Sequence, residues 1–227
     1  MLAQTAIRVG SFKNPTPPSP PSAENHELGG AVELMGAPMS FARNAEIYGE
    51  GEPADYLYKV VSGTVRTSKV LADGRRQVGG FHLPGNIFGL EAGEEHAFSA
   101  EAITECKVFV IKRSALIALA GRDHEVARQL WTLTSGELRR VQGHILLLIK
   151  SAQERVASFL LEMAERVSAG NAVELPMSRQ DIADYLGLTI ETVSRTLTHL
   201  ENAAAIELSS SRRIVLRNRS ALSRLNA

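Results

Sequence analysis

Cysteine is almost missing from this chain. Among 227 residues only Cys106 carries a thiol. No internal disulfide can form, and no Cys pair or Cys/His cluster exists to hold zinc or an iron–sulfur group. Long apolar runs are missing as well. No stretch approaches the roughly 20 apolar residues of a membrane helix, and the N-terminus lacks the continuous apolar segment of a secretory signal. A reducing, cytoplasmic setting without membrane contact is expected. An excess of either charge is also missing, since 25 Lys plus Arg balance 25 Asp plus Glu. That excludes a uniformly basic surface, yet only the docking face of a DNA-binding protein needs to be positive. There is no His-x-His step, no Ser/His/Asp grouping and no phosphate-cradling Gly loop. These gaps argue against an enzyme, including a cupin-type metal enzyme built on clustered His and Glu ligands. No metal and no cofactor are expected.

What is present organises the chain into four parts. Residues 1–28 contain a proline-rich run between Pro15 and Pro21, which neither pairs in a sheet nor continues a helix; a disordered arm is expected. Residues 29–122 read as short strands split by turns. Asp55 to Val61 is rich in β-formers, Thr64 to Val70 alternates, and Lys107 to Ile111 is a further strand. The Asp73-Gly74 pair between Ala72 and Arg75 is a hairpin signal, because a tight turn needs positive φ. Many short strands at near-regular spacing predict an antiparallel roll or barrel. A short helix over 113–120 follows.

Residues 123–150 are predicted to form a long helix. Val126, Leu130, Leu133, Val141, Ile145 and Leu148 step by three, four or more along it, interrupted by Glu137, with Gly136 a weak point. Such a stripe suits a coiled-coil-like dimer seam. Residues 152–168 predict another amphipathic helix, with Val156, Phe159, Leu160 and Met163 on one face and Gly170-Asn171 as its stop.

The informative stretch lies within 151–227, from Pro176 to Glu201. Ser178 can cap a helix, with Asp181 three residues on as a near capping box. Ile182, Ala183, Leu186 and Leu188 face inward, Gly187 marks a sharp turn, and Thr189 caps a second helix buried through Val193, Leu197 and Leu200. Two short helices joined at a Gly turn are the signature of a helix-turn-helix. Off the buried face, near the start of the second helix, stand Ile190, Glu191, Ser194 and Arg195. Arg195 can fork to O6 and N7 of guanine, Glu191 can accept from N4 of cytosine, Ile190 can pack on a thymine methyl, and Ser194 can reach either partner. The competing reading makes Glu191 and Arg195 a surface ion pair at i,i+4. Ser178, Arg179, Gln180, Thr189, Thr192 and His199 are candidate phosphate contacts. A β-hairpin wing over Ala205–Leu208 and Ile214–Leu216 would carry Arg212 and Arg213 at its tip. From residue 178 onward seven arginines face five acids, a local excess that suits phosphate.

These residues resemble the Crp/Fnr family of bacterial transcription regulators over about residues 38 to 220. The match rests on the roll, the long helix, the segment Ala152-Gln-Glu-Arg-Val-Ala-Ser-Phe-Leu-Leu161 and the winged helix-turn-helix. Glu191-Thr-Val-Ser-Arg195, with Met177-Ser-Arg-Gln-Asp-Ile-Ala-Asp-Tyr-Leu-Gly-Leu-Thr189, is most similar to the FixK-type branch. The resemblance implies an α+β fold: a cyclic-nucleotide-binding-like antiparallel β-roll, a dimerisation helix and a C-terminal winged helix-turn-helix. It implies a homodimer on a TTGA…TCAA palindrome in double-stranded DNA, mostly activating low-oxygen and nitrogen-fixation genes. It also implies a contact with RNA polymerase on an exposed roll hairpin, here Asp73, Gly74, Arg75 and Arg76. The chain departs from family patterns twice. It lacks the N-terminal cysteines that hold an iron–sulfur cluster. In the stretch Gly85 to Ala100, Leu90 and Phe98 stand where cyclic AMP binders carry Glu and Arg, and Glu94 and Glu95 would repel a phosphate. His82 and His96 have no paired ligand at suitable spacing. A vestigial roll is expected, against the alternative of a regulator gated by an unidentified effector. A thiol at position 178 would offer a redox switch; Ser178 does not.

Overall fold

The computed structural model describes residues 35–91, 93–167 and 171–225. The expected N-terminal arm over 1–28 and the helix stop at Gly170 lie outside the described residues.

Eight strands build the roll: β1 (Ala37–Phe41), β2 (Glu46–Tyr48), β3 (Tyr56–Ser62), β4 (Val65–Val70), β5 (Arg76–His82), β6 (Ile87–Phe88), β7 (Ser99–Ala102) and β8 (Cys106–Lys112). They form two four-stranded sheets, in the orders β1-β8-β3-β6 and β2-β7-β4-β5. Every pairing is antiparallel. The Asp73-Gly74 turn joins β4 to β5 as its sequence requires, with Gly74 at φ +82°. Cys106 is fully buried, and its Sγ lies 3.2 Å from the carbonyl oxygens of Thr64 and Thr104. Burial pushes its thiol pKa up, against the opposing effect of these bonds.

The roll interior is filled by rings. His82 stacks on Phe88 (centroids 4.8 Å), Phe88 on Tyr58 (5.1 Å), Tyr58 lies against Tyr48 (5.2 Å), and Tyr48 stacks on His96 (3.5 Å). Both histidines are buried. The His82 Nε2 lies 3.2 Å from the Thr67 hydroxyl.

Helix α1 (Arg113–Ala120) leads into α2 (His124–Leu148), a 25-residue helix about 37 Å long. Asp123 caps α2 by accepting from the amides of Glu125 and Val126. Then come α3 (Ala152–Val167), β9 (Ala172–Glu174), α4 (Arg179–Leu186), α5 (Ile190–Asn202), β10 (Ile206–Leu208), β11 (Arg213–Leu216) and α6 (Arg219–Leu225). The wing hairpin β10–β11 gains β9 as a third strand, a pairing its three-residue run did not announce.

Strand β5 is the edge of its sheet, and an unpaired edge must be covered. Three helices do this. From α2, Arg140 donates to the Gly79 carbonyl at 3.4 Å, held by Glu137 at 2.6 and 2.9 Å. From α3, Arg166 donates to the Phe81 carbonyl at 2.5 Å. Helix α4 is tied on through a side chain: the Tyr185 carbonyl accepts from Gln77 Nε2 at 3.4 Å. Glu137, which interrupted the apolar stripe of α2, thus serves to orient Arg140. Gly80 leaves room for this cover, since a Cβ there would come within 3.2 Å of Arg140, whereas at Gly79 it would come within 3.0 Å of Phe98 of the roll. Val78 and Phe81 of β5 and Ile103 after β7 join Phe159, Leu160, Tyr185 and the rest of the C-terminal core in one cluster. The helix-turn-helix core therefore extends onto one side of the roll, while the roll interior around Tyr58, Val60 and Phe88 forms a cluster of its own.

Two predictions follow from this packing. Burial, reinforced by Arg140 and Arg166 and opposed by Glu137, holds His82 neutral and lowers its pKa to about 3. Above the unfolded value near 6.5 neither state binds a proton, so His82 adds no pH dependence. As pH falls below that value the unfolded chain protonates while the folded one resists. Stability should fall by roughly a few kcal/mol between pH 6.5 and 3. His82→Gln should remove that part of the slope, read from urea midpoints across the pH series. Separately, Gly187 closes α4 at φ +62°, where a Cβ is disfavoured. Gly187→Ala should lower stability by about 1 kcal/mol, measured by chemical unfolding.

Candidate nucleic-acid interface

The helix-turn-helix is specified locally. Ser178 caps α4: its hydroxyl accepts from the Asp181 amide at 3.1 Å and donates to Asp181 Oδ2 at 2.6 Å, and its own amide donates to the same oxygen at 2.9 Å. The capping box is complete. Gly187 turns the chain in the left-handed region, and the Leu188 amide closes on the Ala183 carbonyl at 3.0 Å. Thr189 then caps α5 by accepting from the Thr192 amide at 3.2 Å. Val193, Leu197 and Leu200 seat α5 in the core.

The opposite face of α5 is open. Ile190, Glu191, Ser194, Arg195 and His199 are all exposed. Among the described residues, neither Glu191 nor Arg195 has an ion-pair partner. The surface ion-pair reading therefore does not hold: the two side chains share a helix face without engaging each other. Both stand within the first two turns, the end from which recognition helices touch base edges.

The phosphate candidates divide. Thr189 and Thr192 sit together at the α5 start with hydroxyls 3.0 Å apart. Arg179 is half-buried; burial lowers its pKa, and Glu201 opposes the shift. Ser178 has its hydroxyl committed to the cap, and the Gln180 side chain donates to Asp184 at 2.6 Å; as the structure stands, the backbone amides at the α4 start are the free anion donors there. Arg212 and Arg213 lie at the wing turn, with amides bonded to the Ser210 hydroxyl at 3.3 and 3.0 Å. Arg213 is exposed and Arg212 half-buried.

The expected polymerase-contacting hairpin would present Asp73, Gly74, Arg75 and Arg76 together. The structure turns Arg76 inward: it pairs with Asp181 and Asp184 of α4 at 2.7 Å each. Asp73 and Arg75 remain exposed and bond one another. Of the expected dimer-seam residues, Val126 is buried in its own protomer (6% exposed), packed with Leu57, Ile111 and Leu116. Leu130 and Leu133 pack on the same cluster, and Leu148 is half-buried. Val141 and Ile145 are exposed, joined by Trp131 (76% exposed), Leu138 and Ile149. Over the first half of α2 the expected stripe therefore faces the chain's own roll and α1, because a three-to-four step fits more than one face of a long helix.

Residues that the sequence did not single out hold the unit together. Arg155 of α3 donates to the Lys150 carbonyl at 2.9 Å and the Leu148 carbonyl at 2.5 Å, beyond and at the end of α2. It also reaches the Leu186 carbonyl at 2.8 Å, at the end of α4. One guanidinium thus satisfies the open carbonyls of two helices, the ends at which cations are favoured. Nothing in the amphipathic pattern of α3 distinguishes Arg155 from a solvated arginine.

Comparison with known proteins agrees with this architecture. Residues 38–123 match the cyclic nucleotide-binding domain, and residues 154–225 match the Crp-like helix-turn-helix domain. The nitrogen fixation regulation protein FixK of Azorhizobium caulinodans is 56% identical over 202 residues, covering 86% of this chain and 82% of that protein. FixK of Rhizobium meliloti is 46% identical, covering 81% and 88%. The solved structure of FixK2 from Bradyrhizobium japonicum superposes with a TM-score of 0.82 at 54% identity, covering 85% of this chain and 98% of that one. With its nucleotide-binding-type roll, its open recognition helix and these relatives, the chain belongs to the Crp/Fnr family as a DNA-binding transcription regulator of the FixK type.

Proposed function

We propose that the protein binds a TTGA…TCAA palindrome as a homodimer and regulates nitrogen-fixation and low-oxygen genes, mainly as an activator, without catalysing a reaction. The observation that carries this is the exposed, mutually unpaired Glu191 and Arg195 at the start of α5. Arg195 forks to guanine, Glu191 accepts from cytosine, Ile190 meets a thymine methyl, and Ser194 completes the base contacts. Arg179, Thr189, Thr192, His199, Arg212 and Arg213, with the backbone amides of Arg179 and Gln180 just after the Ser178 cap, hold the phosphates. Its relatives' role in nitrogen-fixation regulation supports the gene class.

The dimer forms along α2. Trp131, Leu138 and Ile145 lie seven residues apart, the repeat of a left-handed seam, with Val141 and Ile149 on its flank. Control does not need an effector in the roll. The ring column from His82 to His96 supports this, because it occupies the space between the sheets. Asp73 and Arg75 offer the polymerase surface.

Two outcomes are expected. Arg195→Ala should cost about 1–3 kcal/mol of binding to a TTGA…TCAA duplex and relax discrimination at one base pair. A gel-shift series at fixed salt with each base varied measures it; wild-type affinity in the variant would remove the assignment. Leu138→Glu with Ile145→Glu should give monomers by sedimentation velocity, with DNA affinity falling in parallel.

A further inference from the structure

Between the roll and α4 lies a cluster of five charged side chains. Asp181 Oδ1 accepts from Arg66 at 2.5 Å and from Arg76 at 2.7 Å. Asp184 Oδ2 accepts from the Nε of Arg76 at 2.7 Å. Arg66 is held in turn by Glu101 of β7 at 2.8 Å. Asp181 is nearly buried, its side chain 6% exposed, and Asp184 is at 11%. The other oxygen of Asp181 closes the Ser178 cap. One carboxylate therefore both starts α4 and ties it to two strands of the roll. Burial pushes the Asp181 carboxyl up, but the Ser178 bonds and the two guanidiniums outweigh it and hold the group below its ordinary range.

A cluster of this kind is a poor way to gain stability alone, since desolvating the ions offsets their attraction. Its geometry is what distinguishes it. Planar guanidiniums fix direction as well as distance, and Arg76 spans two carboxylates one turn apart on α4. Helix α4 carries α5 through the closed Gly187 turn. In a two-fold dimer the separation of the recognition helices must match one turn of DNA, about 34 Å. A tilt of α4 on β5 moves both recognition helices and changes that separation.

We propose that Arg66 and Arg76 are positioning residues for DNA recognition: from the roll they clamp Asp181 and Asp184 and set the orientation in which α4 presents α5 to the duplex. Neither arginine touches DNA. This rests on palindrome binding by a homodimer, as proposed above.

The test uses full-length wild type, Arg76→Gln, Arg76→Lys, Arg66→Gln and Asp184→Asn. Each is titrated by fluorescence anisotropy against three TTGA…TCAA duplexes: the preferred half-site spacing, one base pair more and one base pair fewer. Thermal unfolding and oligomeric state are recorded alongside. Arg76→Gln should lose about tenfold in affinity at the preferred spacing and much less at the altered spacings, so that spacing discrimination shrinks. Arg66→Gln should shift the same way, and Arg76→Lys, with charge but no fork, should fall between. Asp184→Asn should do likewise, and combined with Arg76→Gln it should add little further loss. Unchanged affinity, or an equal loss on all three duplexes, overturns the clamp. If Arg76→Gln does not fold, Arg76→Lys and Asp184→Asn decide by the same criterion. Failure of the wild type to prefer any TTGA duplex instead defeats the palindrome assignment.

Discussion

The free edge of β5 constrains everything C-terminal to the roll. A strand at a sheet edge leaves backbone groups that need partners. Here Arg140 of α2 and Arg166 of α3 donate to the Gly79 and Phe81 carbonyls, and the Gln77 side chain of β5 reaches the Tyr185 carbonyl of α4. The same strand sends Val78 and Phe81 into the core of the helix-turn-helix. Two small domains with separate cores would leave their relative placement to a linker. The roll residues Val78, Phe81 and Ile103 in the helix-turn-helix core limit that freedom, and the position of α5 is inherited from where β5 runs.

Within the DNA-binding part, the same groups serve helix ends and long-range contacts at once. Asp181 completes a capping box and receives two roll arginines. Arg155 closes the carbonyl ends of α2 and α4 together. Buried charges persist only when most of their bonding capacity is met, and sharing one group among several helix ends meets it with few side chains. A change at one of these groups therefore reaches several elements.

The roll matches a cyclic nucleotide-binding domain, and a column of rings packs inside it. Three contacts of the column from His82 to Tyr48 have centroids 4.8–5.2 Å apart, in the range of aromatic pairs that add to burial by their geometry, and His96 stacks closer on Tyr48 at 3.5 Å. Such a column is rigid material, and it supports the proposal that the roll works here as a frame that anchors α4 more than as a receptor.

Much of this was legible in the sequence, because the signals are local. Asp73-Gly74 dictates a hairpin, Ser178 and Asp181 a capping box, Gly187 a left-handed stop, and the step of Val193, Leu197 and Leu200 a buried face; each depends on residues a turn or less apart. By subtraction they also expose Glu191 and Arg195. What only the tertiary structure decided involves partners distant in the chain. Arg76 reads as a surface hairpin residue until β5 lies against α4, 105 residues away from Asp181. Val126, Leu130 and Leu133 read as a seam until the roll covers them, and Arg155 reads as solvated until two helix ends meet it. An arginine's identity does not state its partner: its long chain reaches carboxylates and carbonyls alike, and only the packing of the apolar core determines which of them comes within range.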